Sequence, residues 1–177
     1  MKVDKKEKAK KKDPELKIFT VPLSLIEIKD NIYISTNGYS QNSKEKLIKK
    51  ALNFHSEGKI LMAVKYYKKL INQGCEDHRI FSNYGVILKD LGKLKQAEIS
   101  YRKAIELNPD YAIAHSNLGS ILKDLDKLDE SEKSNRKAIQ LNPNLGKAYY
   151  NLGNTLKDLG KLKDAELYTR KAIELIP

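Results

Sequence analysis

The chain has 177 residues, 40% of them hydrophobic, and a net charge of +11. That is enough apolar material for a core, which excludes wholesale disorder, and no apolar run approaches the roughly 20 residues that a membrane helix requires. One cysteine, Cys75, excludes an internal disulfide, and His55, His78 and His115 lack metal-ligand spacing, so neither a metal nor another cofactor is expected.

The excess positive charge is spread along the chain. Residues 1–43 hold nine lysines against six acids, and residues 44–177 hold 25 lysines and arginines against 17 acids. Acids interleaved at helical spacing read as solvated helix faces, and the Lys5–Lys12 run KKEKAKKK has no aromatic side chain to stack on bases. No nucleic-acid or membrane partner is expected. The lysine-rich start is not followed by a secretory apolar region, so a cytoplasmic location is expected. Within 1–43, residues 1–17 read as disordered, whereas IFTVPLSLIEI and NIYIST alternate around Lys29-Asp30-Asn31 as a candidate strand pair that would cover Leu47 and Ile48.

From residue 44 onward the chain repeats. GVILKDLGKLKQAEISYRKAIELNP, GSILKDLDKLDESEKSNRKAIQLNP and GNTLKDLGKLKDAELYTRKAIELIP begin at Gly85, Gly119 and Gly153, a period of 34 residues, and a divergent copy precedes them around Ala51. The units are 44–77, 78–111, 112–145 and 146–177. Apolar residues recur at helical spacing in two blocks per unit, for example Phe81, Tyr84, Ile87, Leu88 and Leu91, then Leu94, Ala97, Tyr101, Ala104, Ile105 and Leu107. Each unit is therefore a pair of amphipathic helices. Gly58, Gly92 and Gly160 end the first helix in the left-handed conformation, a geometry that Asp126 tolerates less well. Proline in Asn108-Pro109-Asp110 and Asn142-Pro143-Asn144 ends the second. Small residues at Gly85, Gly119 and Gly153 and at Ala104, Ala138 and Ala172 predict close contact between helix backbones.

The 34-residue period, the apolar-X-X-Leu/Tyr-Gly opening, the alanine at Ala63, Ala97 and Ala165 and the late proline resemble the tetratricopeptide repeat. The resemblance implies an all-α fold, a right-handed α-solenoid of four helical hairpins preceded by a short irregular segment. It departs most in the third unit, where Ser131 and Asn135 replace alanine and an aromatic, so this unit should be the least well packed. His115 stands where Phe81 and Tyr149 stand and reads as a half-buried packing residue, and Cys75 occupies the turn position of Pro109 and Pro143.

The resemblance also implies that positions 2, 5, 6, 9, 12 and 13 of each unit face a groove. Carried over, these give a partner-binding set of Asn83, Asn117, Asn151 and Asn154, with Ser82, Ser116, Ser120 and Tyr150 and the pairs Lys89-Asp90, Lys123-Asp124 and Lys157-Asp158. Asparagine amides both donate and accept, so a ladder of them suits an extended backbone irrespective of its side chains. The asparagine rows are similar to the repeats of O-linked N-acetylglucosamine transferases. The lysine-aspartate neighbours do not face one another within a helix, so they are not internal ion pairs, and solvated charges explain them about as well as a groove does. A carboxylate clamp for chaperone tails would need five residues, of which only Asn117 and Lys147 match.

No nucleophile with a base, phosphate-cradling loop or metal-ligand cluster is legible, so a non-enzymatic scaffold binding a protein or peptide is expected. Two alternatives stand beside it: the substrate-recruiting repeats of a larger glycosyl- or sulfotransferase, and a structural spacer that self-associates through its uncapped last hairpin. The lysine-, isoleucine- and asparagine-rich composition suits an AT-rich bacterial genome.

Overall fold

The computed structural model describes residues 41–176, with side chains from Ser43 onward. The candidate strand pair, the disorder of residues 1–17 and the cover over Leu47 and Ile48 all lie outside the described residues. Within them there are eight helices and no strand: α1 (Gln41–Ser56), α2 (Ile60–Asn72), α3 (His78–Asp90), α4 (Leu94–Leu107), α5 (Ala112–Asp124), α6 (Leu128–Leu141), α7 (Gly146–Asp158) and α8 (Leu162–Leu175). Consecutive helices pair as four hairpins, one per 34-residue unit, and each hairpin packs on the next.

The turn inside each hairpin has one construction. Gly58, Gly92 and Gly160 have φ between +70° and +74°, and Asp126 takes the same place at φ +59°. The lysine that follows donates its backbone N–H to the carbonyl five residues back: Lys59 to Phe54, Lys93 to Leu88, Lys127 to Leu122 and Lys161 to Leu156, each at 2.8 Å. This closes the otherwise unsatisfied end of the first helix and aims the chain back along it. Between units, Asn108 and Asn142 leave the helix in extended conformation, and their side-chain oxygens accept from the backbone N–H of Asp110 and Asn144 at 3.2 and 3.0 Å.

The last three hairpins close by setting a glycine of the first helix against a side chain of the second. A Cβ on Gly85 would lie 2.7 Å from the Tyr101 ring, one on Gly119 2.4 Å from the Asn135 amide, and one on Gly153 2.5 Å from Thr169 Oγ1. The recurrent glycine thus lets the first helix sit directly on the second, as its sequence recurrence predicts. Tyr67, Leu70, Ile80 and Ile87 fill the first contact between hairpins, and Leu88, Tyr101, Leu118, Ile121 and Leu122 the second. Burial at this level removes apolar area worth about 1.5–3 kcal/mol per large side chain, so each contact between neighbours is a principal source of stability.

The third hairpin is different. Ser131 and Asn135 of α6, and Thr155 facing them from α7, are fully buried at the places that Ala97 and Tyr101 of α4 and Ile121 of α5 hold one unit earlier. Ser131 Oγ donates to Gly119 O at 2.7 Å and touches Thr155 Oγ1 at 2.8 Å; Thr155 Oγ1 donates to Asn151 O at 2.9 Å. The Asn135 amide donates to Ser131 O at 3.0 Å, but Asn135 Oδ1 is buried with no partner among the described residues.

Candidate functional site

The odd-numbered helices neighbour one another along the array, α3 beside α5 and α5 beside α7, so together they form one continuous wall. The even-numbered helices back it. Every residue assigned from sequence to the groove lies on α3, α5 or α7, and the wall sorts them by depth.

The deepest layer is a set of bonds across the seams between units. Ser82 and Ser116 are buried, as are Asn117 and Asn151. Asn151 Nδ2 donates both to Ser116 O and to Ser116 Oγ at 3.1 Å, and Asn117 Oδ1 accepts from Lys147 Nζ at 3.1 Å. Asn83, the equivalent residue of the preceding unit, lies shallower than this layer: it is half-buried, within hydrogen-bond reach of the Tyr67 hydroxyl, which burial pushes up to about 12. Asparagine is a poor helix former, and this bonding is a physical reason for its presence mid-helix: its amide satisfies polar groups that the stacked helices enclose.

A second layer consists of ion pairs. Lys89 Nζ donates to Ser120 Oγ at 2.6 Å and lies 3.5 Å from Asp124; Lys123 lies 3.8 Å from Asp158 and 3.6 Å from its own neighbour Asp124. The lysine-aspartate pairs are therefore not independent solvated charges, which corrects the sequence reading. A lysine stem is long enough to lie across the seam, so the last turn of one helix pairs with that of the next, and Lys123 reaches its adjacent residue as well. Partly exposed pairs of this kind contribute about 0–1 kcal/mol each, so they add little to stability. Lys147 sits where this layer meets the asparagines. Partial desolvation and the nearby Lys89 hold its ammonium below the ordinary lysine value, with Asp90 pulling the other way.

The outermost layer is what a ligand would meet. Asn83, Ser120 and Asn154 are half-buried, Tyr150 is 52% exposed, and Asp90, Lys147, Lys157 and Asp158 are exposed. Ile113 also stands exposed at the start of α5. The sequence reading did not single it out, although its place at position 2 of its unit was the available signal.

Of the remaining candidates, His115 is half-buried, with Nε2 2.8 Å from Pro109 O, a packing and turn-bracing role. Cys75 is buried and its thiol is pushed up, foremost by desolvation, which opposes reactivity. Among the described residues no three His, Cys, Asp or Glu side chains group as metal ligands, and no helix is long and apolar enough to cross a membrane.

Repeated helical hairpins, a glycine-stopped first helix and one continuous wall of first helices define a helical-repeat scaffold. Sequence models of the tetratricopeptide repeat match residues 85–126, 112–145 and 146–177, and the chain belongs to that family. No curated protein matches it significantly. Among solved structures it is similar to the crystal structure of MamA, at 24% identity and a TM-score of 0.68, over 77% of this chain and 80% of that one. YrrB, described as a TPR protein with an unusual peptide-binding site, aligns at 22% identity and a TM-score of 0.66 over 78% and 71%. The first TPR of Spaghetti (RPAP3), bound to the HSP90 peptide SRMEEVD, aligns at 25% identity and a TM-score of 0.62 over 67% and 94%. The divergent first hairpin is outside the family matches, yet α1 and α2 pair as the later hairpins do.

Proposed function

We propose that the wall of α3, α5 and α7 holds an extended segment of a protein partner. The observation that carries this reading is that Asn83, Ser120 and Asn154 are each half-buried on α3, α5 and α7, flanked by the exposed apolar faces of Tyr150 and Ile113. A main chain laid along that wall finds donors and acceptors for its own peptide groups, and the two apolar side chains supply area that excludes water. Two neighbours in fold support the reading by what is said of them, YrrB with its peptide-binding site and the RPAP3 repeat with its bound peptide.

A chaperone-tail clamp is disfavoured. Its matching residues, Asn117 and Lys147, bond each other, while Ser82 and Val86 stand where the clamp needs lysine and asparagine. The scaffold acts by holding, without bond chemistry of its own.

The test is selection from a random peptide library, with binders mapped by amide chemical-shift changes. Shifts should gather on α3, α5 and α7, and Tyr150→Ala with Asn154→Ala should weaken binding by about tenfold, the scale of losing one well-packed anchor. Shifts gathering on α4, α6 and α8 would contradict the proposal. Asn117 and Asn151 are poor targets for this test, because their loss would loosen the seams themselves.

A further inference from the structure

Positive charge is uneven along the hairpins. Residues 44–72, which contain the first hairpin, hold eight lysines against two acids, whereas residues 73–177 hold 17 lysines and arginines against 15 acids. Helix α2 contains no acid, and its Lys65, Lys68 and Lys69 are exposed without an ion pair among the described residues. At the first seam Val64 stands where Glu98 and Glu132 hold the next hairpin's turn lysine. Lys93 is therefore unpaired among the described residues, while Lys127 and Lys161 are held at 2.9 and 2.8 Å.

The turn end of this basic hairpin is apolar. Ile60, Leu61 and Met62 open α2 and are 39%, 88% and 40% exposed. The places of Leu61 and Met62 face solvent in every hairpin, including the two that are packed on both sides: Lys95 and Gln96, Asp129 and Glu130, and Lys163 and Asp164 are all exposed. Their exposure follows from the hairpin itself, not from the lack of a neighbour, and only the first hairpin fills both places with apolar side chains. Behind them the Phe54 and Tyr66 rings pack 5.3 Å apart, with Lys59 Nζ 6.0 Å from the first and Lys50 Nζ 5.9 Å from the second.

We infer that this tip is a peripheral membrane contact, in which Leu61 and Met62 enter an anionic lipid surface and the surrounding lysines meet its headgroups. Charge complementarity selects an anionic surface, and the shape of the tip selects lipid. Leu61 stands almost free of the fold, and lipid packs around such a side chain without a preformed pocket, while lysine stems lie along the apolar layer with their amines at the headgroups. A nucleic acid is disfavoured, because the two aromatic rings at the tip are half-buried with lysines over them and offer no open face to a base. Two inserted side chains are a weak anchor and the lysines supply attraction that salt screens, so binding is reversible and falls with ionic strength. Composition pointed away from a membrane partner because the tip's residues are interleaved with core positions along the chain. This contact is independent of the groove.

The test is flotation of the full-length protein with vesicles of phosphatidylcholine and phosphatidylserine in a two-to-one ratio, beside vesicles of phosphatidylcholine alone. Binding should require the phosphatidylserine. Leu61→Asp with Met62→Glu should weaken it by about tenfold or more, the scale of losing one inserted leucine. The fold already carries that pair, since Asp129 and Glu130 hold the same places in the third hairpin. Leu167→Asp with Ile173→Asp adds the same charge at two exposed apolar places on the last hairpin and should weaken binding by about twofold at most, being far from the contact. An environment-sensitive fluorophore on Leu61→Cys, Cys75 being buried, should shift to the blue on the mixed vesicles. Equal losses from the two double variants, undiminished binding by the first, or a label that stays in water would overturn the inference. So would capture by polyglutamate with the same dependence on Leu61 and Met62, which would assign the tip to an acidic protein.

Discussion

The second and third hairpins share one backbone plan and differ in what they enclose. In the second, with Ala97 buried nearby in the sequence of α4, the Tyr101 ring meets Gly85 and fills the space that the glycine leaves. In the third, Ser131 and Asn135 occupy the same two places, Thr155 faces them from α7, and a chain of polar contacts replaces the ring. One fold therefore tolerates two interiors. The tyrosine contributes area and dispersion; the serine, asparagine and threonine contribute bonds whose net worth is about 1 kcal/mol each, less the cost of leaving Asn135 Oδ1 unpaired. Register survives because backbone geometry and glycine contacts set it, while stability is local to each seam.

The widest contrast comes from truncation. Tyr101→Ala should cost about 3–5 kcal/mol and Leu152→Ala about 2–5, the range for emptied core sites, whereas Asn135→Ala should cost about 1 kcal/mol or less. Urea unfolding fitted with nearest-neighbour terms measures each. A cost for Asn135→Ala equal to that of Tyr101→Ala would erase the distinction. Next in size is the reverse experiment. Ser131→Ala, Asn135→Tyr and Thr155→Ile together convert the third interior to the second and should stabilise the chain by about 1–3 kcal/mol, since removing both partners of buried polar pairs at matched shape forfeits little. Smaller again is Asp126→Gly, which relieves a left-handed residue that bears a Cβ and should add about 1 kcal/mol.

The smallest contrast is one of pH and involves the first hairpin. His55 occupies the place that Lys89 and Lys123 hold in later units, with Nδ1 3.0 Å from the Tyr67 hydroxyl. Burial lowers its folded pKa below 6.5, and Asp90 opposes this. The folded chain therefore favours the neutral ring: its contribution is complete above 6.5 and is lost as pH falls through the lower folded value. Melting should soften over that window, and His55→Gln should abolish the effect. Glu98 and Glu132 act further down. Burial pushes Glu98 upward, but Lys127 and Arg102 outweigh it; Lys161 dominates at Glu132, and both fall below 4.5. They stabilise the fold above 4.5 and lose that contribution as pH drops through their folded values.

Much of this was legible in the sequence. The period located all four hairpins, the glycines marked three left-handed turns, and the register placed Asp126 in the fourth. The recurrence of Gly85, Gly119 and Gly153 implied close backbone contact, which the missing Cβ atoms now explain. The seam bonding was not legible. Asn151 meets Ser116 and Lys89 meets Asp124 at separations of 35 residues, and which residues meet depends on how one hairpin is rotated onto the next. Helical periodicity within a unit says nothing about that rotation. For the same reason Asn83, Asn117 and Asn151 looked equivalent in sequence, yet two of them are buried and one is half-open.

Amide exchange compared between α4 and α6 tests most directly whether the enclosed side chains of each hairpin govern its firmness. The account expects the amides of Leu128–Leu141, packed around Ser131 and Asn135, to exchange faster than those of Leu94–Leu107, packed around Ala97 and Tyr101. Slower exchange in α6 than in α4 would contradict it.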